Sequence, residues 1–468
     1  MNQIWAVARH TVAEAIRMKV AVVFLLLLGL VVLGLPFSIR GDSSLTGAVQ
    51  SFMMYALSAT ALLLSLLTVF MSRTVSDEFQ NKQILLLAVK PLPRWRYIAG
   101  KWLGISLVNI VLLALSGLTM YGMVQYIRQT HPPIDDRYDR SELENQVLVA
   151  RHARKVRPPD FRKEAEAELQ RNLEQGIYAN TPNFDPVKER ERLTTKYEAR
   201  WRVIGPLETR NFEFDHLLVD RAPGKEIQLR YKAQVSNYPP DEIYRALFRF
   251  GDPLKGAVAY DTPVRHVVGR YHTIRFPADA VAPDQSLSVT FFNENPFEGE
   301  KQFRNVLEIR SEDELEVLFG VGSFGGNLVR LLILMGSKLV FLAAVAVLMT
   351  TVFSFPVACL TTFTVYVLCG ARGFLTDALD WVATEQTSMF ASVQAFLTQV
   401  IMQAYTAIGW VLPDFSYYDA VEDFVNGRNV SLAWVLQGVS ELVLVKTTVV
   451  LGVAMLLYYR REVAELSF

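Results

Sequence analysis

Six stretches of this chain are apolar over a length that spans a bilayer: 20–39, 49–71, 102–127, 328–353, 355–375 and 435–459. A membrane helix needs about 20 such residues. Backbone N–H and C=O groups have no water to bond in hydrocarbon, so these stretches must be helical. The fourth and fifth are separated only by Ser354-Phe355-Pro356. One helix through 331–371 would be about 60 Å long at 1.5 Å per residue, about twice the hydrocarbon thickness. Pro356 also disfavours a continuous helix. The two stretches therefore read as a hairpin, and the chain as a polytopic α-helical membrane protein with six spans.

Composition says that this is only part of the molecule. The chain has 468 residues, 51% hydrophobic yet 20% charged, and its mean hydropathy is +0.21. That charge is too high for a chain wholly in lipid, so a water-soluble domain is expected beside the spans. The 47 basic and 47 acidic residues give zero formal net charge, which argues against a general nucleic-acid binder. Cys359 and Cys369 lie in one apolar stretch, which excludes a disulfide-stapled scaffold. The first stretch follows Arg9, Arg17 and Lys19, but it is long and no small-x-small site follows it. It reads as a span and not as a cleaved signal.

Basic residues in short loops set the orientation. Arg9, Arg17 and Lys19 precede the first span. Arg73, Lys82, Lys90, Arg94, Arg96 and Lys101 lie between the second and third, and Arg460 and Arg461 follow the last. Both termini and the loop 72–101 are thus expected in the cytoplasm, with 128–325 outside it. Trp102, Trp434, Tyr458 and Tyr459 stand at span ends, as interfacial aromatics do.

The inserted region divides by texture. Residues 128–202 alternate acids and bases and read as solvated helices, a stalk or a paired hairpin. Residues 203–325 carry short alternating runs, among them 212–214, 227–231, 272–276 and 287–291, separated by turn clusters at 222–224 and 237–240. That pattern predicts an antiparallel β-sandwich, making the insert an α+β domain.

Motifs for chemistry are few. Gly320, Gly322 and Gly325 have dinucleotide-loop spacing but run into a span, so they read as a juxtamembrane hinge. The segment 251–256 starts like a phosphate loop but lacks the following Lys-Ser/Thr. His266 and His272 lie six apart with no clear carboxylate or cysteine partner, and read as structural. Arg40-Gly41-Asp42 lies against the membrane and reads as chance. No nucleophile–base arrangement stands out, which leaves a membrane-bound hydrolase without a site.

Charges inside spans are costly and face a cavity or a partner helix unless they snorkel. Lys338 lies about 10 Å from the outer end of the fourth span by helix rise. Lys446 is at similar depth in the last span, with Glu441 above it. Both readings stay open: an outer vestibule or a cross-helix pair, for instance Glu441 with Lys338, or lysines reaching the outer interface.

The cytoplasmic elements carry the strongest signal. Ile4, Trp5, Ala8, Val12, Ala15 and Ile16 recur at helical spacing, with Arg9, Glu14, Arg17 and Lys19 elsewhere. That predicts a helix lying in the headgroup layer. The loop 72–101 is longer than a connection needs. It has a charged start (Asp77, Glu78, Lys82), a short apolar helix at 84–89, and a Pro91-Leu92-Pro93 break. Charge, an apolar ridge and rigid geometry are what docking a soluble partner requires.

Three places carry a family resemblance. Residues 8–17, the loop 78–101 with its acid, leucines, Pro91-Leu92-Pro93-Arg94 and Gly100-Lys101, and the segments 353–358 and 459–462 resemble the permease subunits of type-2 (exporter-type) ABC transporters. They are similar in particular to the permease of the nitrous-oxide-reductase copper-maturation group. The likeness covers the spans, a little over half of the chain. Family members often have only a short connection where this chain has 128–325.

The resemblance implies a transmembrane permease subunit in the cell (inner) membrane that exports or acts on an extracytoplasmic substrate. It implies pairing with a second permease subunit, as homo- or heterodimer, over separate cytoplasmic ABC ATPase subunits. ATP and magnesium would be on the partner, with no cofactor, metal or catalytic residue in this chain. Asp77, Glu78, Lys82, Pro91, Arg94, Arg96 and Lys101 would form the ATPase-coupling loop. Residues 377–413 would be short outer helices that dip partway. The domains expected are 1–127, 128–202, 203–325 and 326–468, with membrane lipid and an extracytoplasmic protein as further partners. The alternative is a non-transporting membrane sensor or scaffold that anchors the external domain.

Overall fold

The computed structural model describes residues 2–17, 19–38, 44–80, 93–130, 140, 143–156, 158–178, 184–219, 221, 225–235, 242–294, 306–311, 314–384 and 412–460. It divides into two compact units, 1–150 with 322–468, and 151–321.

The first unit is helical. Its elements are α1 (Asn2–Arg17), α2 (Val20–Ser38), α3 (Leu45–Met71), α4 (Arg73–Gln80) and α5 (Arg94–Thr130). The unit is completed after the insert. Among the described residues, five helices are long and apolar enough to cross a membrane, and a sixth is reached when α1 and α2 are taken as one bent span. α2 has its Leu26, Leu30 and Leu33 on the outside, as a helix bathed in lipid would. Inside, Phe52, Leu67, Ile105, Val124, Leu334 and Phe341 form one continuous core. Lipid tails give such helices no hydrophobic reason to associate, so small residues and interhelical hydrogen bonds do much of the work. Thr60 and Ser116 share a hydroxyl hydrogen bond at 2.8 Å, and Asn109 donates to Thr68 at 2.7 Å.

Several boundaries follow from local chemistry. Ser44 caps α3 by accepting from the Gly47 N–H at 2.9 Å. Pro93 stands at the head of α5, where its missing N–H costs nothing. Of the expected coupling loop, the segment 73–80 is α4 and 94–101 is the start of α5. Its centre, with Lys82, Pro91 and the expected helix at 84–89, lies outside the described residues. The hairpin forms as expected: α8 (Phe324–Val352) stops before Phe353-Ser354, and α9 (Phe355–Thr384) begins with Pro356 in its first turn. α9 runs on to Thr384, so the first residues of the expected outer segment 377–413 continue this helix. Residues 385–411 lie outside the described residues.

After α10 (Val421–Val425), the last span is α11 (Leu432–Gly438), a π-helical segment over Val439–Thr447, and α12 (Thr448–Arg460). A π turn inside an α-helix often marks a functional position, and this one holds Glu441 and Lys446.

The second unit is α+β. The strands of the insert are β1 (Val149–Lys155), β2 (Val203–Ile204), β3 (Thr209–Phe214), β4 (Glu226–Lys232), β5 (Gln234–Val235), β6 (Ile243–Phe250), β7 (Tyr260–Val267), β8 (Tyr271–Pro277), β9 (Leu287–Asn293), β10 (Leu307–Glu308) and β11 (Leu315–Ser323). They form sheets ordered β1-β11-β4-β8, β2-β10-β5 and β3-β9-β6-β7. The β4–β8, β6–β7 and β3–β9 pairs are antiparallel. Alternation places Tyr244, Ala246, Phe248 and Phe250 of β6 inside. Both four-stranded sheets feed one aromatic core, in which Phe250 stacks on Phe276 at 4.0 Å and Tyr231 meets Phe248 at 4.7 Å.

One expectation needs correction. Residues 149–155 were expected within a charged helical segment, but they form β1. With Arg151, His152, Arg154 and Lys155 the run has little apolar alternation, and pairing to β11 decides its conformation. Gly320 and Gly322 lie in β11 and Gly325 in the first turn of α8, so these glycines sit in regular strand and helix. The charged helices α6 (Arg162–Glu174) and α7 (Pro186–Trp201) pair as a hairpin around Ala165, Leu169 and Leu193. Glu166–Arg190 and Glu168–Lys196 ion pairs tie them together at 3.3 and 2.9 Å.

Candidate functional site

A buried polar cluster lies where α1, α4 and α5 meet. α1 packs along the start of α5 because α5 presents glycines there. A Cβ on Gly100 would lie 2.6 Å from Val7 Cβ, and one on Gly104 would lie 2.9 Å from the Ala8 carbonyl. The close approach buries Ala8, Thr11 and Ala15 and leaves Trp5 and Ile16 exposed. The sequence places all four apolar residues on one stripe. α1 turns its small residues to α5, so it is a packed helix with two large apolar side chains outward.

Lys101, just before the apolar part of α5, is 1% exposed. Its Nζ lies 2.7 Å from Glu78 Oε1 on α4 and 3.2 Å from Glu14 Oε2 on α1, and it donates to the Thr74 carbonyl at 3.4 Å. Tyr97 donates to the other Glu78 oxygen at 2.5 Å. His10 Nδ1 stands 3.9 Å from both carboxylates. One ammonium thus ties three helices together. A buried lysine is tolerable only when its charge is met and its hydrogens are bonded, and both conditions hold here.

His10, Glu14 and Glu78 also place three metal-ligand atoms within 4.8 Å of one another. The Lys101 ammonium already fills the position between the carboxylates, so an ion would have to displace it. The arrangement is an ionic clamp.

The clamp joins the two segments that flank residues 81–92 in the chain, Glu78 just before them and Tyr97 and Lys101 just after. The other expected coupling residues go elsewhere. Asp77 pairs with Arg73 at 3.2 Å on its own helix. Exposed Arg94 donates to the Tyr458 and Tyr459 carbonyls at 3.1 and 2.7 Å, which joins the start of α5 to the end of α12. Arg96 donates to Gln3 at 2.6 Å. Lys82 and Pro91 lie outside the described residues. Glu78 and Lys101 are buried, so neither offers its charge to a docking surface. Sequence reasoning assigned no role to Glu14, His10 or Tyr97. The one signal was an acid in an otherwise basic helix.

The intramembrane charges find partners other than the expected Glu441–Lys338 pair. Lys338 faces Asp419 at 3.9 Å, and Glu441 accepts from Tyr418 at 2.6 Å. Lys446 is half-buried in the π segment.

In the second unit, His266 and His272 sit on consecutive strands of different sheets, β7 and β8, across a turn at Gly269 (φ 72°). Their rings stack at 4.1 Å, Tyr231 Oη meets His266 Nδ1 at 2.6 Å, and His272 Nε2 meets the Val267 carbonyl at 2.7 Å. Stacked imidazoles aim their in-plane lone pairs apart, which does not suit a shared ion. Burial, and then the neighbouring His272, push the His266 pKa down to about 4.

Residues 5–136 match the family model described as ABC-2 family transporter protein. The match spans α1 to α5 and contains the whole clamp. No curated protein and no solved structure matches the chain. With the apolar helices, the match supports an integral membrane protein whose residues 5–136 are similar to the permease part of ABC-2 transporters. The family implies an ATPase partner.

Proposed function

We propose, from an ABC-2 transporter domain in residues 5–136, that this chain is the membrane-spanning subunit of an ATP-driven transporter whose motor is a separate protein. The single observation that carries the reading is the clamp. A loop that receives force must have both ends tied to the helices it drives, and Glu78, Lys101 and Glu14 tie the base of the loop 81–92 to α1, α4 and α5. Nucleotide-driven closure of the motor would push on the loop and move these helices as one body. A sensor or scaffold gives no reason for this bracing.

The distribution of Lys and Arg supports a cytoplasmic loop and cytoplasmic termini, with 151–321 outside the cytoplasm in an inner-membrane protein. We read the two four-stranded sheets as a β-sandwich that selects substrate or docks an external protein. ATP and magnesium would bind the motor, and a second permease subunit, identical or related, would complete the translocator. The closer likeness, to the nitrous-oxide-reductase copper-maturation group, rests on the quoted motifs and leaves the cargo open.

Co-expression with candidate cytoplasmic ABC ATPases tests the reading. A stable complex is expected whose ATP hydrolysis responds to this chain. Loss of that response in Lys101→Met, with the complex still assembled, supports force transmission through the clamp. An unaltered response refutes it.

A further inference from the structure

Lys338 is unused by the clamp and by the matched domain. It lies midway along α8 and lines a cavity of about 300 Å³ with Ser58, Tyr366, Phe415 and Asp419. Its side chain is 18% exposed. A charge at that depth is expensive unless it is paired and hydrogen-bonded. The pairing here is incomplete. An ammonium has three N–H donors, yet among the described residues Lys338 makes no hydrogen bond. Asp419 Oδ1 is 3.9 Å away, beyond hydrogen-bond length, and the Phe415 ring centre is 5.9 Å away. Asp419 is itself 59% exposed, and its Oδ1 accepts from the Val421 N–H at 3.4 Å.

We infer that this cavity is an anion site, which seats a phosphate or carboxylate group against Lys338 Nζ with Asp419 as the resident counter-ion that the ligand displaces. The volume is at the low end for ligand pockets, roughly 300–1,000 Å³, so a head group fits and a whole lipid does not. Phe415 is held by Phe341 at 6.0 Å and Tyr366 at 6.3 Å, which gives the anion's apolar continuation a fixed aromatic wall. The inference rests on the permease reading only for naming the anion as cargo. Binding itself needs no motor, so failure of one leaves the other decidable.

The test uses the full chain in dodecyl maltoside, with sodium phosphate, dodecyl phosphate and dodecyltrimethylammonium as probes. Acetylation of Lys338 is followed by peptide mass spectrometry, and the melting temperature is measured in parallel. Dodecyl phosphate is expected to slow Lys338 acetylation severalfold and to raise the melting temperature, while the cationic amphiphile does neither. Protection by dodecyl phosphate alone assigns an amphiphile's head group. Equal protection by sodium phosphate assigns a free anion. Asp419→Asn, which removes the competing carboxylate, should tighten binding by about two- to fivefold. Lys338→Arg should keep the melting shift and Lys338→Met should lose it. Absence of protection by either phosphate, an undiminished shift in Lys338→Met, or weaker binding in Asp419→Asn overturns the proposal. Should Lys338→Met fail to fold, the acetylation and Asp419→Asn results still decide.

Discussion

Replacing Lys101 with methionine removes the one cation that holds the clamp. The methionine fills most of the lysine's volume, so the change is electrostatic more than steric. Glu78 stays buried, its side chain 8% exposed, and among the described residues keeps the Tyr97 hydroxyl as a close partner and His10 at 3.9 Å. Leaving one half of a buried pair uncompensated costs about 3–5 kcal/mol. At roughly 2–4 °C per kcal/mol, the melting temperature should fall by about 6–20 °C. Glu78→Gln alone should cost less, because Lys101 keeps Glu14 and the Thr74 carbonyl. The double variant is the informative one. Glutamine can still accept from Tyr97, and the one carboxylate left without Lys101 is Glu14, which is partly exposed beside His10, so most of the loss should be recovered. The assay is thermal melting of the purified chain in detergent, with all four proteins side by side. Additive losses in the double variant would mean that Lys101 and Glu78 do not act as a pair, and the clamp would be refuted.

Three further outcomes are expected. Gly104→Val places a Cβ 2.7 Å from Thr11 and 2.9 Å from the Ala8 carbonyl, so α1 must leave α5. Limited proteolysis should then cut α1, while Gly122→Val, with nothing within 4 Å, stays intact. Arg94→Ala removes two hydrogen bonds to the end of α12, and amide exchange over 448–460 should quicken; unchanged exchange would show that Arg94 does not secure that end. In the second unit, the unfolded chain protonates His266 near pH 6.5 and the folded chain near pH 4. Stability is therefore complete above pH 6.5 and is lost as pH falls toward 4, by roughly 1 kcal/mol once the half-exposed ring is discounted for screening. Amide protection in β7 and β8 should fall in that window, and His266→Gln should flatten the profile.

Some of this was legible in the amino-acid sequence, and the divide has physical causes. Apolar length alone marks the spans, and Pro356 marks the hairpin, because both are local properties of the chain. β4, β8 and β9 declare themselves by alternation. β1 does not, since its conformation comes from a partner strand far along the chain. Glu78, Arg94 and Lys101 were visible as charges in an overlong loop. Their partners were not, because Glu14 lies 87 residues from Lys101 and is brought there by glycine-mediated packing of α1 on α5. The same limit made Glu441 the natural expectation for Lys338, where chain folding supplies Asp419. No periodicity announces the π segment, which adds a residue per turn inside an unbroken apolar run.

The account turns on force reaching this chain through the loop 81–92, and crosslinking from that loop in intact cells tests it most directly. A photoreactive residue in place of Lys90 should give a light-dependent adduct with a soluble subunit that carries a P-loop ATP site. Adducts confined to lipid, or to proteins on the side that holds residues 151–321, would contradict it.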